Sequence, residues 1–142
     1  MARNRIRWTT WAALAVLALS ARPTAAPAAE NLPPAAVKEA DTIYQTRCIG
    51  CHGPGGKGDG PIGMALNPRP RDLSDEAWQK SVADEHIEKI ILGGGPAVGK
   101  SPMMPANSDL NAKPDVLKAL RAMVRNFGAS AGGATTKPAA AH

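Results

Sequence analysis

Two cysteines and a histidine stand close together in the motif Cys48-Ile49-Gly50-Cys51-His52, which uses both cysteines of the sequence. On a helical turn, residues three and four positions apart share a face, so both thiols and the imidazole point to one side. Thiols placed in this way can form thioethers to one porphyrin edge while the imidazole ligates the iron, and C-x-x-C-H is the attachment signature of c-type haem. The motif therefore predicts one covalently bound haem c, with His52 as an axial ligand.

Two other kinds of site use the same cysteine spacing. A thioredoxin-like redox pair is expected beside a βαβ pattern, which the sequence does not show. A zinc site needs a second pair of ligands, and no such pair is visible elsewhere in the chain. Haem attachment is therefore the favoured interpretation.

The start of the chain has the layout of an export signal, in which arginines precede an uncharged run at 8–21 and then small residues and prolines. As a helix, this run of about 14 residues would reach roughly 21 Å, against roughly 30 Å of bilayer hydrocarbon, so no stable membrane span is expected. Ala26-Pro27-Ala28 offers small residues where a signal peptidase cleaves. We predict a signal peptide at 1–28 and a periplasmic protein, with an uncleaved anchor as the alternative.

Cleavage would also change the charge balance. Four arginines would leave with the signal, so 17 basic residues become 13 against 12 acidic ones, and the net charge falls from +5 to +1. No dense run of lysine and arginine with interleaved aromatics follows. Nucleic-acid binding is therefore not expected.

Helical periodicity dominates the rest of the chain, and no strand pattern competes with it. We predict helices from Pro34 to Arg47, from Ser74 past Trp78, from Asp84 to the glycines at 93–95, and from Lys113 to Gly128. Irregular loops separate them at 50–71 and between the glycines and Ala112. The folded domain is predicted at 29–128, and the tail 129–142 is predicted to be disordered because its composition buries little apolar area. Aromatic residues make up only 4% of the chain, which is too few to fill a core.

The segment C-x-x-C-H-G-P-G-G-K-G-D-G-P, the later S-P-M-M-P and the apolar last helix resemble the small class I cytochromes c, over roughly 36–127. The resemblance is strongest to periplasmic monohaem carriers and to the haem domains of terminal-oxidase subunits. It implies an all-α fold in which about four short helices wrap one haem and the first and last helices cross. The porphyrin would then supply the apolar volume that the aromatics do not.

The sixth iron ligand is expected from the second loop, where Met103 and Met104 are the candidates, because a thioether suits a low-spin haem iron. Pro105 biases the preceding residue toward an extended backbone, and the ligand of the resembled family usually precedes a proline. We therefore predict Met104, with Met103 as the alternative. Met64 and Met123 fit ordinary packing better.

Three further residues are assigned to the surroundings of the haem. The resemblance places Pro61 where a proline carbonyl accepts the second N–H of the haem histidine, which orients the ring. Arg69 and Arg71 are candidates for bidentate pairs with the haem propionates. Two solvated loop arginines are an equally good interpretation of that pair.

The sequence departs from the family pattern at three positions. Ala40 stands where the first helix often has glycine, and Met123 stands where the last helix often has an aromatic. The resemblance therefore does not predict the distance at which the two helices cross. Asn107 replaces an aromatic that commonly follows the Met-Pro pair. The resemblance therefore does not predict the packing at that edge of the haem either.

Residues 94–101 satisfy G-x-x-x-x-G-K-[ST], a phosphate-binding pattern that requires a preceding strand and a following helix. Here a helical pattern precedes it and prolines follow, so we treat the match as chance and expect its glycines to let the methionine loop approach the haem. His86 lies among acidic residues on a predicted helix and is expected to be a solvated surface residue.

Together these features predict an electron-transfer protein that works between two redox partners. No set of general acid, base and nucleophile accompanies the motif, so an enzyme is not expected. The alternatives are the haem subunit of a larger respiratory complex, and a haem sensor or peroxidase with a displaceable sixth ligand. Lys57, Lys100 and Lys113 flank the two loops and are expected to steer a partner only modestly.

Overall fold

The computed structural model describes residues 31–132. Its α-helices are α1 (Pro34–Ile43), α2 (Ile49–His52), α3 (Glu76–Ser81), α4 (Asp84–Gly93) and α5 (Pro114–Gly132). A π-helical turn at Tyr44–Cys48 joins α1 to α2, and 3-10 turns lie at Gly63–Ala65, Gly95–Val98 and Ser108–Ala112. The described residues contain no strand, and the predicted all-α fold is confirmed. Between residues 31 and 132, no helix combines the length and the apolar character needed to cross a membrane.

The first and last helices pack together, as the resemblance implies. One buried cluster joins α1 to α5, and its members on these helices are Ala36, Ala40, Ile43, Val116, Ala119 and Leu120. Ala40 is 0% exposed, so the small side chain at this position allows a close approach of the two helices. Met123 occupies the position where the family often has an aromatic, but the aromatic contact of α5 comes from Phe127. The ring centroid of Phe127 lies 5.3 Å from that of Tyr44.

A second cluster of Leu73, Ile87 and Val124 holds α4 against α5, and Trp78 of α3 packs against this cluster. Asp75 caps α3, because its carboxylate accepts a hydrogen bond of 2.8 Å from the amide of Trp78. The start of α3 near Ser74 and the start of α4 at Asp84 agree with the sequence-based prediction.

The predicted end of the last helix at Gly128 is wrong, because α5 continues to Gly132 and includes four residues assigned to the disordered tail. A Cβ atom at Gly128 would lie 2.5 Å from Cγ of Gln79, so the glycine allows α3 to approach the C-terminal part of α5. Close packing, and not helix termination, explains this glycine. The predicted signal peptide at 1–28 and the rest of the tail lie outside the described residues.

Candidate functional site

The cysteine–histidine motif lies at the junction of the π-helical turn and α2. Cys48 is the last residue of the π-helical turn, and Cys51 and His52 belong to α2, so the motif is helical as its spacing predicts. Both thiols are free and partly buried. Gly53 ends α2 with a φ of 75°, a left-handed value that favours glycine, and its amide donates to the carbonyl of Ile49 at 2.8 Å.

The loop after the motif folds back onto the backbone of α2. The amide of Gly58 donates to the carbonyl of His52 at 2.9 Å, and the amide of Ile62 donates to the carbonyl of Gly50 at 2.9 Å. A Cβ atom at Gly60 would collide with the carbonyl of Gly50, so only glycine permits this approach. The glycine-rich loop thus fixes the main chain on which the motif is built.

The imidazole of His52 has the properties of a ligand. Its Nδ1 atom is buried and has no hydrogen-bond partner among the described residues. Burial lowers the pKa of His52, and a backbone hydrogen bond with Arg71 opposes this in part. A lowered pKa keeps the ring neutral at pH 7, with a lone pair for a metal.

Cys48 does not have the properties of a reactive redox thiol. Burial raises its pKa to about 11, with the Cys51 thiol adding to the effect and Arg47 opposing it. The nucleophile of a thioredoxin-like pair needs a lowered pKa, because the thiolate is the attacking species. Within residues 31–132, no three or more His, Cys, Asp or Glu side chains are grouped as a metal site, so Cys48, Cys51 and His52 do not form one by themselves.

The two candidate methionines lie differently in the second loop. Met103 is 59% exposed, whereas Met104 is partly buried. The carbonyl of Met104 accepts a hydrogen bond of 3.0 Å from the amide of Gly95, and its amide donates to the carbonyl of Ser101 at 3.3 Å. The main chain at Met104 is therefore held on both sides, while the side chain of Met103 points to solvent.

The Cytochrome c family model matches residues 37–126 of this chain. The chain belongs to the cytochrome c family. It is also similar to a solved structure, the KustC0563 c-type cytochrome, with 30% sequence identity over 61% of this chain and 93% of that chain and a TM-score of 0.46. No curated protein matches it. Family membership means that this cytochrome c binds haem c covalently and transfers electrons on it.

The residues of the motif fit this cofactor. Nδ1 of His52 is buried without a partner among the described residues, and such a nitrogen costs about 1–3 kcal/mol unless its N–H finds an acceptor such as the Pro61 carbonyl, while Nε2 would remain for the iron. Cys48 and Cys51 are both free to form thioethers. The donor set therefore matches a haem held by two sulfurs and one imidazole.

The other residues assigned to the surroundings of the haem lie in the loop between α2 and α3. Pro61 is exposed and directly follows Gly60, the glycine that packs against the backbone of α2. The carbonyl of Pro61 does not accept a hydrogen bond from Nδ1 of His52 in this structure. Arg69 and Arg71 are exposed, and neither guanidinium is paired with a carboxylate of the described residues. Their roles toward the imidazole and the propionates remain predictions.

The elements around residues 94–101, which match the phosphate-binding pattern, argue against a nucleotide site in this cytochrome c. Its first residues follow α4, and Gly95–Val98 forms a 3-10 turn instead of the start of a long helix. His86 is exposed on α4, as predicted.

Sequence reasoning missed the roles of two residues. Asn107, which stands where the family often has an aromatic, caps the C-terminal end of α4. Its side-chain and backbone amides both donate to the carbonyl of Ile91, at 3.0 and 3.3 Å. The hydroxyl of Tyr44 donates to the carbonyl of Gly53 at 2.7 Å. A long loop separates Asn107 from the end of α4 at Gly93, so no local signal marks this cap, and nothing in the sequence points from Tyr44 to Gly53.

Proposed function

We propose that this cytochrome c carries single electrons between redox proteins of the periplasm, with His52 and Met104 as the axial ligands of its haem iron. The observation that carries the ligand assignment is the hydrogen bond from the Gly95 amide to the Met104 carbonyl, together with the 59% exposure of Met103. A ligand loop must hold its donor residue in place, and this loop holds Met104.

Each residue proposed to contact the haem has a separate role. Haem c, when bound, supplies one iron that gains and loses a single electron. Cys48 and Cys51 hold it covalently, and His52 presents a neutral imidazole. The uncharged thioether of Met104 favours the ferrous state and raises the reduction potential relative to harder ligands.

The arginines of the loop before α3 have a proposed part in this site. Arg69 and Arg71 are exposed and lack carboxylate partners within residues 31–132, so their guanidinium groups are available to the propionates. Pro61 is proposed to orient His52 through its carbonyl, with support from the glycine-rich turn that brings the preceding residue onto α2.

The periplasmic location rests on the sequence. Arginines, an uncharged run and a small-residue cleavage site precede the domain, which is the layout of a cleaved export signal. A fusion of residues 1–40 to alkaline phosphatase, which is active only after export, tests this location. An inactive fusion would contradict it.

The ligand assignment is tested by replacing each methionine in turn. Met104→Ala should remove the ferric Met-to-iron charge-transfer absorption, lower the midpoint potential and open the iron to carbon monoxide. Met103→Ala is the matched control and should leave all three nearly unchanged. If Met103→Ala alone produces these changes, the assignment is wrong by one residue.

The same experiment separates the carrier from the alternatives. A sensor or peroxidase has a displaceable sixth ligand, so its wild-type ferrous form would bind carbon monoxide readily at neutral pH, whereas the carrier should not. Native purification distinguishes a free carrier, which elutes alone, from the haem subunit of a respiratory complex.

A further inference from the structure

A buried hydroxyl connects Tyr44, one helical turn before the haem-binding motif, to Gly53, directly after it. Tyr44 begins the π-helical turn and is 4% exposed. Its hydroxyl donates a hydrogen bond of 2.7 Å to the carbonyl of Gly53, nine residues later in the chain. This one bond therefore spans the whole segment 48–52, which carries both cysteines and the histidine.

The main chain around His52 is held from several sides, and Gly53 is the point at which Tyr44 contributes. The Gly53 amide donates to Ile49 at 2.8 Å, and the His52 carbonyl accepts from Gly58 at 2.9 Å. On the ring itself, Nδ1 has no hydrogen-bond partner among residues 31–132, and the backbone of Arg71 supplies one hydrogen bond. With one ring nitrogen unpartnered, the direction of the imidazole depends also on the backbone that carries it.

We propose that Tyr44 is a positioning residue for His52: by holding the Gly53 carbonyl, its hydroxyl sets the backbone from which the imidazole ligates iron. The inference rests on the axial role of His52 proposed above. This role explains why the residue is a tyrosine, because core packing requires only the ring and not the hydroxyl.

Two further observations support this role. The ring of Tyr44 packs against Phe127 at 5.3 Å between centroids, with an angle of 48° between the planes, so the ring is anchored independently of the hydroxyl. Burial raises the pKa of Tyr44 above its ordinary value, so the hydroxyl keeps its proton and stays a donor. A rigid ring and a permanent donor are the properties that a positioning residue needs.

The test is Tyr44→Phe in the full-length haem-loaded protein, because phenylalanine keeps the ring and removes only the hydroxyl. Loss of one buried hydrogen bond should accelerate amide exchange at Gly58, whose amide is bonded to His52, by about fivefold. The hyperfine-shifted proton resonances of the His52 ring should move, and the midpoint potential should shift.

Ile87→Val is the matched control, because it removes one methylene from a side chain that is 2% exposed in the other core cluster. It should lower stability to a similar extent and leave the Gly58 exchange, the His52 resonances and the potential at their wild-type values. If Tyr44→Phe and Ile87→Val behave alike at equal loss of stability, Tyr44 is a packing residue and the inference is overturned. If the wild-type protein itself lacks histidine hyperfine resonances, the axial ligation proposed above is wrong, whatever Tyr44→Phe does.

Discussion

The amide of Gly95 donates a hydrogen bond of 3.0 Å to the carbonyl of Met104. Gly94 lies against the same carbonyl, and a Cβ atom there would be 2.5 Å from the oxygen. The glycines that end α4 therefore fix the main chain of the proposed sixth ligand. A sequence segment that matches a phosphate-binding pattern is used here to hold a methionine.

Gly94→Ala should weaken the ligation by Met104. Gly94 has a φ of 69°, and its Cβ atom would clash with the Met104 carbonyl and with Pro105, so the loop must shift. We expect a loss of about 1–3 kcal/mol in the free energy of unfolding and a weaker ferric charge-transfer absorption. Thermal melts and absorption spectra of the haem-loaded variant measure both.

Gly99→Ala is the control for this prediction. Gly99 shares the positive φ, at 68°, but its ψ of 29° is left-handed helical, whereas the ψ of −173° at Gly94 belongs to a region that essentially only glycine adopts. Nothing lies within 4 Å of the Cβ position of Gly99, so the comparison between the two variants is made on the absorption and not on the stability. Gly99→Ala should show the backbone cost of about 1 kcal/mol and keep the wild-type absorption. Equal spectral changes in both variants would mean that contact with Met104 is not what matters at Gly94.

Replacing both motif cysteines should abolish covalent haem attachment and folding together. Cys48→Ala with Cys51→Ala removes both thioethers, and the few aromatic residues of the described domain cannot fill the core without the porphyrin. We expect no haem to remain on the chain after denaturing electrophoresis and no cooperative unfolding transition. A folded, haem-free double variant would show that the protein core does not need the porphyrin.

Arg125 should be the arginine on which stability depends most. Its guanidinium donates to the carboxylate of Asp84 and to the carbonyls of Gln79 and Val82, each at 2.7 Å, and so connects α5 to α3 and α4. Arg125→Met leaves the carbonyls of Gln79 and Val82 without this donor and leaves Asp84 with Arg121, at a cost of about 2–4 kcal/mol in the free energy of unfolding.

Arg47→Met provides the comparison for Arg125. Arg47 pairs with Asp109 at 3.0 Å, but the two side chains are 43% and 49% exposed. An ion pair in such a setting contributes less than about 1 kcal/mol. Urea unfolding of both variants should separate them, and equal losses would refute the bridging role of Arg125.

Partner association should depend weakly on salt, through Lys57 and Lys100. Both flank the loops next to the proposed site, and neither is paired with a carboxylate of the described residues. Lys113, the third candidate from the sequence, is paired with Glu39 and has less charge to offer. Electron-transfer rates with a redox partner should fall mildly with ionic strength.

The lysine variants make this expectation specific. Lys57→Gln and Lys100→Gln should each reduce the rate about twofold at low salt, and Lys113→Gln should change it less. A rate that does not respond to salt would contradict a charged docking face. A steep response would show that the charge of that face is larger than two lysines.

The sequence alone determined the chemistry of this protein, because Cys48, Cys51 and His52 lie within one short motif and their spacing is a local property. The starts of α1, α3, α4 and α5 followed for the same reason, since proline, caps and apolar periodicity act over a few residues. Local signals were also enough to rule out a nucleotide site, because a helix precedes that pattern.

Only the tertiary structure decided the roles that depend on distant partners. Gly128 looked like a helix end because a glycine stops helices locally, but Gln79 of α3 requires it at a close contact. Asn107 and Tyr44 received their roles from the carbonyls of Ile91 and Gly53. Hydrogen bonds between residues far apart leave no periodic trace in a sequence, because either partner alone is compatible with many folds.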